Sequence, residues 1–265
     1  MAAKAPMPLI ALTTDFGTRD PWVAAMKGVI YSIAPACTIA DLSHGIAPQD
    51  ILEGALYLSG AVPYFPPGTI HVVVVDPGVG TERLPIIARC AGQTLICPDN
   101  GLLTLLQRRF PVEAAHVIEN PAFMLREPST TFHGRDIFAP AAAHAALGRP
   151  LADFGPPAPE LQRIDIPEPA ADAEGQLHGQ IIHVDHFGNC ITNILRDMVP
   201  HDSNYRVQVA AKTLPGIHRT YGDVSPGTLV ALFGSTGHLE IAMAMDSAVD
   251  ALQLHPGSPV TLYRP

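Results

Sequence analysis

Basic residues are scarce in this chain. Sixteen Lys and Arg stand against 25 Asp and Glu among 265 residues, a formal net charge of −9. They form no run anywhere, so a surface for a phosphate backbone, which needs clustered cations, is excluded. Aromatic residues are also few, at 6%, and charged residues make up only 15% against 47% hydrophobic. That balance predicts a real, mainly aliphatic core and not a disordered chain. The four cysteines, Cys37, Cys90, Cys97 and Cys190, form no C-x-x-C pair, which argues against a zinc knuckle or a disulfide framework. An even number leaves two disulfides open, but buried free thiols are the expectation. No apolar run reaches the length of a membrane span. The opening MAAKAPMPLIALTTDFG has too short an apolar stretch for a secretory leader. A soluble, cytoplasmic protein is expected.

What is present divides near residue 149. Before it, β-rich runs alternate with helix-like stretches: PLIALTT (8 to 14), WVAAMKGVIYSIA (22 to 34), TIADLSH (38 to 44) and ILEGALYLSGAVPYF, with Asp50 and Glu53 in the first turn of that helix. IHVVVV is continuously apolar and predicts a strand covered on both faces. LIC (95 to 97), a turn at Pro98-Asp99-Asn100-Gly101, a helix over LLTLLQRRF and the alanine-rich helix IFAPAAAHAALG complete this part. Such alternation predicts an α/β domain with a mostly parallel sheet over residues 1–155. Six prolines between 150 and 169 predict an extended linker, 156–174. From 175 to 265, GQIIHVD, NYRVQVAA, TLVALFG, LEIAM and PVTLYRP, separated by Pro-Gly turns, predict a small all-β barrel or sandwich.

Ligands of α/β sheets sit at the carboxyl ends of strands and favour domain interfaces. Asp15, Asp41, Asp76 and Asp99 each end an apolar run in the first part, and Asp185 ends one in the second. A strand-end Asp is commonly a turn or cap residue, the favoured reading for Asp99. Asp41 divides evenly between the two readings. Asp15 and Asp76 are flanked by glycines that would let a ligand approach the backbone. Asp15-Phe16-Gly17 lacks the other kinase motifs, and Asp76-Pro77-Gly78-Val79-Gly80-Thr81 lacks the phosphate-loop ending. None of the twelve histidines falls in a metal-binding spacing. His133 is set apart by its setting, Phe132-His133-Gly134-Arg135-Asp136, and the residues alone leave its role open.

Read together, LTTDFGTRDPW, DLSHGIAPQDI, FPPGTIHVVVVDPGVGTER, PDNGLLT, TFHGRDIFAPAAAH, HVDHFGNCITNI and FGSTGHLEIA strongly resemble the S-adenosyl-L-methionine (SAM) hydrolases, or SAM hydroxide adenosyltransferases, relatives of the SAM-dependent fluorinase and chlorinase. The resemblance runs from about residue 9 to near the C-terminus. It implies an α/β domain plus a C-terminal β-barrel, and a homotrimer holding SAM between subunits. The implied reaction is attack of water or hydroxide at C5′ of SAM, giving adenosine and L-methionine with no cofactor and no metal. Its nucleophile-holding set falls on Asp76, Arg83 and His133. Asp15 falls at the ribose hydroxyls, Asp185 and Ser235 near the methionine amine and carboxylate, and Phe187 and Asn189 near adenine, with Glu240 in the same pocket. No fluorinase-type insertion follows Arg83, which favours hydrolysis. Trp22 stands where the family commonly has tyrosine, Ala24 where it has glycine, and MAMDSAVDA departs from the usual asparagine and glycine. The alternatives are a halide adenosyltransferase, a non-catalytic SAM- or adenosine-binding module and, without the resemblance, a metal-dependent phosphoesterase on Asp15, Asp76 and His133.

Overall fold

The computed structural model describes residues 7–200 and 204–265. The chain divides into two compact units, the second beginning at Asp165. The first unit runs β1 (Leu9–Thr14), α1 (Trp22–Ile33), β2 (Thr38–Ser43), α2 (Ile51–Ala61), β3 (Ile70–Val74), β4 (Pro85–Cys90), β5 (Gln93–Pro98), α3 (Thr104–Gln107), β6 (Val112–Val117) and α4 (Ala139–Ala146). Its strands form one sheet in the order β2-β1-β3-β5-β4-β6. From β2 to β5 the pairs are parallel, while β4 pairs antiparallel with β5 and β6. The sheet is therefore mixed but mostly parallel, with β4 alone running against the other strands. β4 and β5 form a hairpin whose turn places both Ala91 and Gly92 at positive φ. The helix expected over LLTLLQRRF is a single turn at α3.

The valine run shows why β3 is central. Ile70, Val72 and Val74 pack with Met26 and Ile30 of α1 and the alanines of α4. Val73 and Val75 face the other way, against Leu58 of α2 and Leu102 and Leu106 around α3. Each fully buried valine contributes about 1.5–3 kcal/mol. Because β1 and β3 are parallel neighbours in register at Thr14 and Val74, the residues that follow, Asp15 and Asp76, emerge at the same edge. Glu53 lies in the first turn of α2 as expected, while Asp50 stands just before the helix and caps it, its Oδ1 accepting from Glu53 N; Glu53 Oε2 accepts from Ala47 N.

The proline-rich stretch is pinned to the first unit as far as Ile164. Gln162 N donates to Asp99 Oδ1 at 2.9 Å and Ile164 N to Thr104 Oγ1 at 3.0 Å. Asp99, the favoured turn residue, is thus buried and serves as an anchor.

The second unit comprises β7 (Ala170–Ala171), β8 (Leu177–Val184), β9 (Cys190–Leu195), β10 (Arg206–Val209), β11 (Lys212–Leu214), β12 (Leu229–Phe233), β13 (His238–Met243), α5 (Ala248–Leu252) and β14 (Pro259–Tyr263). Its strands form a nearly closed, antiparallel, barrel-like sheet in the order β11-β10-β14-β8-β9-β13-β12, with β7 beside β8. Ile181, Ile194, Val207, Ile241 and Leu262 fill its core. All four cysteines are free and buried. Among the described residues, no helix is long and apolar enough to cross a membrane.

Candidate active site

A cavity of about 530 Å³ opens at the β1 and β3 tips of the first unit, lined by Asp15, Phe16, Trp22, Gln49, Asp76, Phe132 and His133 among others. At its wall lies a hydrogen-bonded chain of three side chains. Arg83 Nε donates to Asp76 Oδ1 at 2.9 Å, and Arg83 Nη2 donates to Asp76 Oδ2 and to His133 Nδ1, the latter at 2.7 Å. The Arg83 and Asp76 side chains are only 9% and 5% exposed. Arg83, also stacked 5.4 Å from the centre of the Phe138 ring, is not among the lining groups. It holds the two residues that are.

The chemistry of the donors fixes the protons. Arginine only donates, so His133 Nδ1 accepts and its proton resides on Nε2. Burial, reinforced by the Arg83 charge, holds the His133 pKa below the usual imidazole value. His133 is a neutral ring whose one lone pair is already engaged.

The glycines beside Asp76 also make room within the protein. A Cβ at Gly80, which has φ of +77°, would lie 2.4 Å from the Thr130 carbonyl oxygen, and one at Gly78 would press on the Arg83 stem. They admit the 129–131 loop and Arg83 close to the Asp76 turn. That loop is fixed by Asp136, whose Oδ2 accepts from Ser129 N at 2.9 Å and whose carboxylate binds Arg135. The residues Gly134–Phe138 form a π-helical turn before α4. Pro140 has no N–H, and the Asp136 carbonyl four residues back accepts instead from Leu125 N at 2.8 Å. Such turns cluster at functional sites. Phe16, Trp22 and Phe132 make an aromatic wall in edge-to-face contacts, which sequence reasoning did not assemble.

Asp15 sits in the same cavity, its Oδ2 accepting from Gln49 N at 2.8 Å. Asp185, Phe187, Asn189, Ser235 and Glu240 do not join it. They line a second cavity of about 970 Å³ in the second unit, with Arg219, Tyr221, Met243, Met245, Asp246 and Ser247. The divergent 243–247 segment therefore does border a cavity. Asp185 behaves largely as a turn residue: its oxygens accept from Phe187 N, Asn189 N and Asn189 Nδ2, each at 2.9 Å. Glu240 is the more available carboxylate. Its Oε2 accepts from Tyr221 Oη at 2.6 Å, and a Cβ at Gly234 would fall 1.7 Å from Oε1, so a side chain there would displace the carboxylate from this position. Burial raises the Glu240 pKa; the Tyr221 bond opposes this and Asp185 adds to it. Tyr221 escaped sequence analysis, although Thr220 and Asp223 spell the capping box that presents it.

Two further observations concern the thiols and the potential metal ligands. Burial pushes the Cys90 and Cys190 thiols up to about 11, which leaves poor nucleophiles. Among the described residues, no group of three or more His, Cys, Asp or Glu side chains is placed to hold a metal ion.

Comparison with known proteins gives one answer. Residues 10–155 match the SAM hydroxide adenosyltransferase N-terminal domain and residues 179–261 its C-terminal domain. A curated protein of Thermus thermophilus named (R)-S-adenosyl-L-methionine hydrolase is 42% identical over 94% of this chain and 97% of its own. A fluorinase of an Actinoplanes species is 31% identical over 97% of this chain and 98% of its own. The crystal structure of an uncharacterized conserved protein from Thermotoga maritima superposes with a TM-score of 0.88 at 35% identity, covering 96% of this chain and all of that one.

Proposed function

The chain belongs to the SAM hydroxide adenosyltransferase family, and from that premise we infer that it hydrolyses S-adenosyl-L-methionine to adenosine and L-methionine. The observation that carries the mechanism is the Asp76–Arg83–His133 chain beside Asp15 in one cavity.

Water is a poor nucleophile near neutral pH, and the site must hold one molecule in line with C5′. His133 Nε2–H donates to one lone pair of that water, and Asp76 accepts one of its protons. The second lone pair is left to attack. As the new O–C5′ bond forms, the C5′–S bond breaks and sulfur leaves with the electron pair as a neutral thioether. The water proton passes through Asp76 to solvent. The leaving group needs neither a general acid nor a Lewis acid, so no metal or cofactor enters this scheme, and turnover should survive a chelator. His133 does not act as the base while Arg83 occupies its lone pair. Arg83 stabilises the developing hydroxide character through its fixed charge.

Asp15 takes the ribose hydroxyls. In the second cavity Asp185, Glu240 and Ser235 take the amino-acid end, and Phe187 and Asn189 the adenine. This division accords with a homotrimer whose SAM sites lie between subunits, which sedimentation or sizing would detect. Four buried free thiols accord with the cytoplasm. The curated relatives' names specify the R form, and the same sulfonium epimer is expected to be preferred here.

The test is product identity by mass spectrometry after incubation with each SAM epimer in ¹⁸O-water. Adenosine carrying the label at O5′, with unlabelled methionine, is expected. S-adenosylhomocysteine, 5′-methylthioadenosine, or 5′-chloro-5′-deoxyadenosine in the presence of chloride would each replace this reading with another.

A further inference from the structure

One wall of the first cavity, formed by Asp15, Phe16, Pro48 and Gln49, comes from two separate segments. Residues 15–17 leave β1, and residues 44–50 leave β2. Two hydrogen bonds from backbone amides stitch them: Gly17 N donates to the His44 carbonyl at 2.8 Å, and Gln49 N donates to the side-chain Oδ2 of Asp15 at 2.8 Å. Gln49 has φ of +68°, a left-handed conformation that disfavours a residue with a side chain. The bond to Asp15 offsets that strain.

Behind this wall runs a line of side chains that the reaction does not use. Phe16 N donates to Thr14 Oγ1 at 3.2 Å, and Thr14 Oγ1 lies 2.9 Å from His44 Nδ1. His44 Nε2 lies 3.0 Å from Asp41 Oδ1, close but not aligned as a hydrogen bond, and Lys27 Nζ donates to Asp41 Oδ2 at 2.6 Å. Thr14 is fully buried and His44 is 7% exposed. With the Asp41 carboxylate facing Nε2, the ring proton is favoured there and Nδ1 accepts from the Thr14 hydroxyl. Carboxylate, imidazole and hydroxyl follow one another as in a nucleophilic triad. Here, however, the hydroxyl is out of reach of any substrate and already holds the Phe16 amide. The line therefore acts on the backbone of the Asp15 turn.

We propose that His44 is a positioning residue for substrate: through Thr14 and its own carbonyl it fixes the Asp15-Phe16-Gly17 turn, so that the Asp15 carboxylate meets the ribose hydroxyls in one orientation. Asp41 and Lys27 hold the ring in turn. The inference rests on the reading of Asp15 given above.

The experiment compares kcat and KM for SAM, and thermal stability, in the full-length His44→Leu, His44→Gln and Thr14→Val enzymes, alone and combined with Asp15→Asn. His44→Leu and Thr14→Val should each raise KM roughly 10-fold with kcat within about 2-fold. His44→Gln, whose amide can both accept and donate, should recover most of the loss. In the Asp15→Asn background, His44→Leu should change KM no further. Thr14→Val, close in shape, carries the test if His44→Leu folds poorly. A raised KM in Asp15→Asn beside unchanged values in His44→Leu and Thr14→Val would remove the relay alone. So would a His44→Leu effect that persists undiminished in the Asp15→Asn background, or His44→Gln as impaired as His44→Leu. An unchanged KM in Asp15→Asn would remove the ribose reading and this inference with it.

Discussion

In the first cavity Asp76 meets a guanidinium through two hydrogen bonds, whereas in the second Glu240 meets only a phenol. Both carboxylates are buried, and burial penalises a charge that nothing answers. Arg83 answers it permanently, since a guanidinium does not lose its proton. Tyr221 answers it with one neutral hydrogen bond, and the Glu240 pKa rises from burial all the same. In the proposed reaction, the first arrangement keeps a fixed charge pattern around the attacking water. The second keeps a carboxylate whose charge is best completed by an incoming cation, such as the ammonium of the methionine end. The difference predicts that damage to the Asp76–Arg83–His133 chain lowers kcat and damage to the Tyr221–Glu240 pair raises KM.

The severest test of that division is Arg83→Ala. It leaves Asp76 buried and unpaired, a loss of about 3–5 kcal/mol in denaturant unfolding, and it should lower kcat roughly 10³-fold. Near-normal turnover would break the comparison at its first term. His133→Ala should lower kcat by about 10²-fold with little change in KM. The wild-type pH profile sharpens this. Because the His133 pKa is depressed, the neutral ring persists as pH falls, so kcat should stay level through the ordinary imidazole range and decline only below it. A decline at or above that range would contradict a depressed His133 pKa. The mildest change is Tyr221→Phe, which should raise KM about 5-fold and leave kcat alone. Since the Glu240 pKa is raised, kcat/KM should fall with acid in a window above the usual glutamate range, and Glu240→Gln should flatten that limb. If Tyr221→Phe lowers kcat as much as His133→Ala does, the two carboxylates do not divide the work.

Local signals in the sequence were read well because their causes are local. The valine run of β3 and the Asp50 cap of α2 follow from a few adjacent residues. The antiparallel strand β4 is not legible in the sequence. β4 and β5 turn at Ala91-Gly92 without an Asn-Gly signal, and β6, with exposed Glu113 and Ala114, lacks the apolarity of a central strand. Asp76, Arg83 and His133 were grouped by family resemblance, because His133 lies fifty residues beyond Arg83 and spacing alone does not join them. Pairings that no motif spells, such as Tyr221 with Glu240 and His44 with Thr14, became visible only in three dimensions.

The π-helical turn at Gly134–Phe138 sets the angular phase of His133 relative to α4. An α-helix advances about 100° and 1.5 Å per residue. Removing one residue from this turn would let it rewind as ordinary helix, and His133 would swing about a quarter-circle away from Arg83 while α4 kept its seat. On the role proposed for His133, the catalytic register of this enzyme is a matter of residue count as much as residue type: a one-residue deletion here should silence a site whose every proposed functional side chain was still present.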